Sequence, residues 1–166
     1  AEDAGYMERF SCKLAIAPTA SISTIAGGVS PCIEPIPANV FNHKTLTGNH
    51  AIYNPDLKRH LAEAGLDTEE IWSSIIEHGG SVQHLEELPQ ATRSIFKTAF
   101  EIDPRFLIDF AADRAPFIDQ AQSLNLYVEP TIDKFELAMI HYEAWAKGVK
   151  SVYYLRSRSI QRAGNL

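Results

Sequence analysis

The chain has 166 residues, 45% of them hydrophobic and 22% charged, which fits one soluble domain able to bury roughly 70% of its unfolded surface. A net charge of -6 gives no overall basic field to attract a nucleic-acid backbone. No apolar run approaches the ~20 residues of a membrane span, and no signal-peptide pattern opens the sequence. Cys12 and Cys32 sit in no metal-ligand spacing, and sequence alone does not pair them; reduced thiols in a cytoplasmic protein are expected.

In chain order, Lys13 to Ala17 is a short apolar run ended by Pro18 and reads as a buried strand. Thr19 to Ala26 predicts a helix capped by Thr19 or Ser21 and stopped at Gly27-Gly28. Pro31, Pro35 and Pro37 then predict an ordered, winding loop. Val40 to Tyr53 reads as extended, with Thr47-Gly48-Asn49 as a turn signal.

Helices follow. Asn54-Pro55 is a cap followed by Pro at the first helical position, with Leu57 and Leu61 on one face and Gly65 at the end. Asp67 and Glu70 predict a capping box ahead of the stripe Ile71, Trp72, Ile75, Ile76, which Gly79-Gly80 terminates. Ile95, Phe96, Ala99 and Phe100 predict another helix, and Phe106, Leu107, Phe110 and Ala111 the next.

The last third predicts strand, helix, strand. Leu124 to Val128 is the first strand. Thr131 caps a helix with the core stripe Phe135, Ala138, Met139, Tyr142 and Trp145, Gly148 closes it, and Val149 to Leu155 is the second strand. A helix is the expected connection between parallel strands. The segments thus divide as 1–28, 29–123 and 124–166, a helix-rich slice of an α/β architecture. Strands near residues 15, 126 and 152 are too few for a covered sheet, so the expectation is a sheet completed by another chain.

Two segments carry candidate chemistry. After the first strand, Pro18-Thr19-Ala20-Ser21-Ile22-Ser23 opens a helix whose unpaired N–H groups and dipole suit an anion; an ordinary capped helix explains the same residues. Near the end, Tyr153 and Tyr154 are neighbours. On a strand their side chains point to opposite faces, so they read poorly as one packed cluster, although aromatic residues are common in strands. The six histidines are scattered without ligand spacing, and His78 and His84 read as loop hydrogen-bonders. Glu69-Glu70 and Glu86-Glu87 read as helix faces or caps. Lys147, Lys150, Arg156, Arg158 and Arg162 form a local basic run that reads as a solvated terminus or a binding patch.

Ala17-Pro18-Thr19-Ala20-Ser21 followed by Ile33-Glu34-Pro35 resembles the substrate-phosphate loop of the large (alpha, catalytic) subunit of class I, aerobic, ribonucleotide reductases. The resemblance continues through Lys44-Thr45-Leu46-Thr47-Gly48, Glu77-His78-Gly79-Gly80-Ser81, Asp119-Gln120-Ala121-Gln122-Ser123 and Gly148-Val149-Lys150-Ser151-Val152-Tyr153-Tyr154. It implies the C-terminal section of a ten-stranded α/β barrel. It also implies that Thr19, Ala20, Ser21 and Ile22 bind a ribonucleotide diphosphate mostly through backbone N–H groups, with Ser23 close by and Glu34 supporting the loop. Tyr153 and Tyr154 would then relay an electron and a proton to a cysteine, Tyr153 as the inner member and Tyr154 as the outer one.

Cys12 and Cys32 match none of the family's catalytic cysteine motifs, so those roles are not transferred to them. The resemblance implies no cofactor in this chain. It implies instead a small-subunit partner carrying a dimetal or tyrosyl-radical cofactor, docked near Thr131 to Lys147 and Tyr154. An N-terminal portion of the large subunit, on a separate polypeptide, would complete the barrel, with a thioredoxin or glutaredoxin system serving the whole enzyme and this chain inactive alone. Two other readings stay open: a free-standing nucleotide-phosphate-binding module, and a helical interaction protein without catalysis.

Overall fold

The computed structural model describes residues 5, 12–27, 30–45 and 48–158. They fall into two compact units. One comprises Ala1–Ala20, Cys32–Glu34 and Asp103–Leu166, the other Ser21–Pro31 and Pro35–Ile102.

The second unit is built on a hairpin. Strands β1 (Val40–Thr45) and β2 (Gly48–Tyr53) pair antiparallel, with Val40 opposite Tyr53 and Thr45 opposite Gly48. The extended reading of this stretch holds. The turn signal was misplaced, because Gly48 and Asn49 already belong to β2; Leu46 and Thr47 lie outside the described residues. Helix α2 (Pro55–Glu63) begins as its sequence dictates: the Asn54 carboxamide accepts from the Asp56 and Leu57 N–H groups and Pro55 needs no partner. One turn apart, Leu57 and Leu61 are fully buried, and Gly65 takes the left-handed φ of +71° that ends the helix.

Helix α3 (Glu69–Glu77) starts differently from the expected capping box. Thr68 is the cap, accepting from Ile71 N–H. Asp67 instead accepts from the Trp72 indole at 2.7 Å, which fixes a large ring against the hairpin, edge-on to Tyr53. Leu57, Leu61, Trp72, Ile75, Val82, Leu85, Leu88 and Phe96 join Val40 in a closed core.

At the centre of this unit stands Asn39, fully buried. Its Nδ2 donates to the carbonyls of Gly80 (3.0 Å) and Phe96 (2.8 Å), and its Oδ1 accepts from Asn54 Nδ2 at 2.9 Å. One amide thus ties the hairpin's start to the α2 cap, the loop after α3 and the end of α4 (Gln90–Ile95). Gly80 has to be glycine here: its φ is +84°, and a Cβ would sit 2.5 Å from the Ala38 Cβ. The single helix expected through Ile95–Phe100 is interrupted. The chain leaves α4 at Phe96, and Thr98 and Glu101 form a capping box around a 3₁₀ turn, Ala99–Glu101. Ile95 points outward, 71% exposed.

In the first unit, strands β3 (Leu126–Val128) and β4 (Leu155–Ser157) are parallel, Leu126 opposite Leu155, and α6 (Lys134–Ala146) connects them. The strand–helix–strand expectation holds, with β4 starting later than read. Residues 13–17 are corrected from a buried strand to one bridge, Ile16 to Gln122, with Leu14 exposed. A strand needs continuous ladder partners, and residues 13–17 meet one along a single bridge.

Both helices of this unit turn a different face inward than their aromatic stripes suggested. Helix α5 (Pro104–Arg114) buries Leu107, Ile108 and Ala111 and leaves Phe106 and Phe110 exposed. Helix α6 is capped by Asp133 rather than Thr131, buries Ile140 and Ala144, and exposes Phe135, Ala138, Met139, Tyr142 and Trp145. Ion pairs line the seam between the two helices. Arg105 reaches Glu136 and Glu143, and Lys147 bonds Asp109 and Glu143, all on the side of α6 that meets α5.

Candidate functional site

The phosphate-loop candidate forms a tight turn into α1 (Ala20–Ile25). Thr19 is left-handed at φ +48°, as is Cys32 at φ +57°, an uncommon backbone for residues with a side chain. The two are tied together, since Thr19 Oγ1 accepts from the Cys32 N–H at 2.8 Å. Thr19 therefore clamps the loop at the start of the helix, and its hydroxyl proton stays available to an acceptor. Ala20, Ser21 and Ile22 are exposed, whereas Ser23 is buried. Thr19 and Ala20 belong to the first unit and Ser21 to Ser23 to the second. Cys32 is half-buried, donates to the Ser123 carbonyl, and has its thiol pKa pushed up by burial, the state of an unreactive packed thiol.

Tyr153 and Tyr154 precede β4, outside the regular pleat. The alternation expected of a strand does not hold, and their rings pack together at 4.1 Å between centroids, tilted by 52°. The adjoining Tyr154 phenol pushes the Tyr153 phenol above its ordinary pKa. Both rings are half-exposed. Arg156 lies over the Tyr154 ring, 4.7 Å from its centroid, a cation–π contact.

Their backbone is held from the β3 side. Tyr153 N–H donates to the Leu124 carbonyl, Leu126 N–H to the Tyr154 carbonyl, and Tyr154 N–H to Asn125 Oδ1 at 3.1 Å. Asn125 is held in turn by Glu34, which accepts from its backbone N–H and, at 2.9 Å, from its Nδ2. The Tyr127 hydroxyl donates to the same carboxylate at 3.3 Å; burial, with that carboxylate beside it, pushes the phenol up to about 12, so it stays a donor. Glu34 was read as loop support. Asn125 was missed, and only its place one residue after the strand's first apolar position could have signalled it.

The basic run dissolves into separate jobs. Lys150 Nζ donates to the carbonyls of Ile118, Asp119 and Gln120, while Asp119 accepts the N–H groups of Lys13 and Leu14, which hold its carboxyl below the ordinary range. Arg162 lies outside the described residues. In the second unit His78 and His84 stack at 3.7 Å, each bonded to Ser74. Among the described residues no group of three or more His, Cys, Asp or Glu side chains could hold a metal ion, and no described helix is long and apolar enough to cross a membrane.

Comparison with known proteins shows the family. A family model described as "Ribonucleotide reductase, barrel domain" matches residues 4–155. The ribonucleoside-diphosphate reductase large subunit of Invertebrate iridescent virus 6 is 44% identical over 99% of this chain, and the large chain of Neurospora crassa is 40% identical over 93%. The Actinobacillus ureae class Id ribonucleotide reductase alpha subunit superposes with a TM-score of 0.82 at 42% identity over 94% of this chain. The chain spans 18% and 16% of the length of the two relatives and 28% of the solved chain. On these matches the chain belongs to the ribonucleotide reductase large-subunit family and carries part of its α/β barrel.

Proposed function

We propose that this chain contributes to a ribonucleoside-diphosphate reductase the turn that holds the substrate's phosphates and the tyrosine pair that carries oxidising equivalents inward. The observation that carries this reading is the pair itself: two half-exposed phenols, ring against ring with 4.1 Å between centroids. Losing an electron makes a phenol's O–H strongly acidic, so the electron and proton move together. In the transfer, Tyr153 gives a hydrogen atom to the oxidised Tyr154; one O–H bond breaks as the other forms, and the unpaired electron moves one residue inward. A cysteine S–H elsewhere in the large-subunit sequence then restores the Tyr153 O–H. No free ion forms at either step.

At the other segment, the backbone N–H groups of the exposed residues Ala20, Ser21 and Ile22 and the Thr19 hydroxyl would receive the diphosphate oxygens. Small side chains at Ala20 and Ser21 allow that approach, and Ser23 supports the turn from inside. The oxidant belongs to a small subunit with a dimetal or tyrosyl-radical cofactor. Its docking surface would be the exposed face of α6 with Tyr154, where Phe135, Met139, Tyr142 and Trp145 offer aromatic and thioether anchors of the kind that dominate interfaces.

Turnover by the assembled enzyme tests the relay. Tyr153→Phe and Tyr154→Phe each keep the ring and remove the transferable hydrogen, so deoxyribonucleotide formation should fall to background while the subunits still associate. Turnover retained by either variant removes that residue from the relay.

A further inference from the structure

Glu34 is 5% exposed, yet it takes no part in the relay or in phosphate binding as described. A buried carboxylate is costly unless several donors meet it, and here three do: the backbone and side-chain N–H groups of Asn125 and the Tyr127 hydroxyl. Such a group only accepts. It therefore takes the NH₂ end of the Asn125 carboxamide and leaves the oxygen end to face Tyr154 N–H. Without it the carboxamide can rotate, and its flipped form would set a donor against a donor.

We infer that Glu34 is a positioning residue: by orienting Asn125 it holds the Tyr153–Tyr154 backbone in a fixed setting relative to the turn at Thr19. The inference rests on the relay reading above. Tyr153 and Tyr154 lie before the β4 ladder begins at Leu155, so the Asn125 bond supplements the two backbone bonds from Leu124 and Leu126. Glu34 stands two residues from Cys32, whose N–H is clamped by Thr19. A short run of backbone and hydrogen bonds thus connects Thr19 to Tyr154, and both residues lie in one compact unit.

The test uses the assembled enzyme and two variants. Glu34→Gln keeps size but places a donor among donors. Asn125→Ala removes the Tyr154 acceptor and leaves the Glu34–Tyr127 bond in place, which covers a failure of the first variant to fold. Residue-resolved hydrogen exchange should show the Tyr154 amide opening about tenfold more readily in either variant, with the α6 amides unchanged. The kcat should fall while KM for the ribonucleoside diphosphate stays within about twofold, the pattern of a lost transition-state arrangement rather than lost binding. Unchanged exchange at Tyr154 in both variants overturns the proposal, and so does a loosened amide with undiminished kcat. Turnover by Tyr154→Phe would sink the relay reading and leave the exchange result standing, so the two failures are separable.

Discussion

The two compact units use the same kind of helix for opposite ends. In the unit around Asn39, α2 and α3 turn Leu57, Leu61, Trp72 and Ile75 onto their own hairpin and loops, and the apolar stripe closes. In the unit around Glu34, α5 and α6 bury slim residues such as Ala111 and Ala144 and leave Phe106, Phe110, Phe135 and Trp145 outward. A buried apolar stripe stabilises the element that carries it. An exposed one holds its binding energy in reserve for whatever covers it. The first arrangement makes a scaffold, and the second is the surface proposed above for docking.

Substitution should separate the two most sharply. Leu57→Ala or Ile75→Ala removes a fully buried side chain and should cost about 2–5 kcal/mol in urea unfolding. Phe135→Ala or Trp145→Ala should change the unfolding of this chain by roughly 0.5 kcal/mol or less. It should weaken small-subunit binding by about 2 kcal/mol if those rings are anchors. Equal destabilisation by both kinds of change would erase the contrast.

A smaller effect is expected at the hinge of the closed unit. Asn39→Ala strands Asn54 Nδ2 and the side-chain bonds to the Gly80 and Phe96 carbonyls. It should destabilise by about 1–3 kcal/mol, with α4 and the loop after α3 losing hydrogen-exchange protection together. Loss confined to one of them would show that the amide does not join them.

The mildest prediction concerns acid. Burial, and then the His78 ring stacked on it, hold the His84 pKa below its ordinary 6.5, although Glu87 and Glu101 pull the other way. The unfolded chain then binds the His84 proton first. Stability should be full above 6.5 and decline as pH falls through that value toward the lower folded pKa. His84→Gln should flatten the slope in this window, read as the midpoint of urea unfolding against pH.

Legibility in the sequence followed the range of the forces. Local devices were readable: the Asn54-Pro55 start, the Gly65 and Gly148 stops, the extended pair around residues 40–53. Their partners lie within a few residues, so spacing is enough. Departures occurred where a group found another partner. Asp67 went to the Trp72 indole and left the cap to Thr68, and Phe96 gave its carbonyl to Asn39 where a helix was expected. In the candidate site the segments Thr19–Ser23 and Tyr153-Tyr154 were found through their resemblance. The contact between the two phenols was not, because the rule for alternating strand side chains stops applying two residues before β4.

The sequence by itself determined where most of the helices lie, which segments are candidates for the site, and the family to which they belong. These rest on short-range spacing and on motifs. Only the tertiary structure decided which face of α6 turns inward, what Glu34 grips and how Asn125 reaches Tyr154. Periodicity shows that a helix has an apolar side, but whether its own chain covers that side depends on what the fold brings against it, just as Glu34 meets donors ninety-one residues distant.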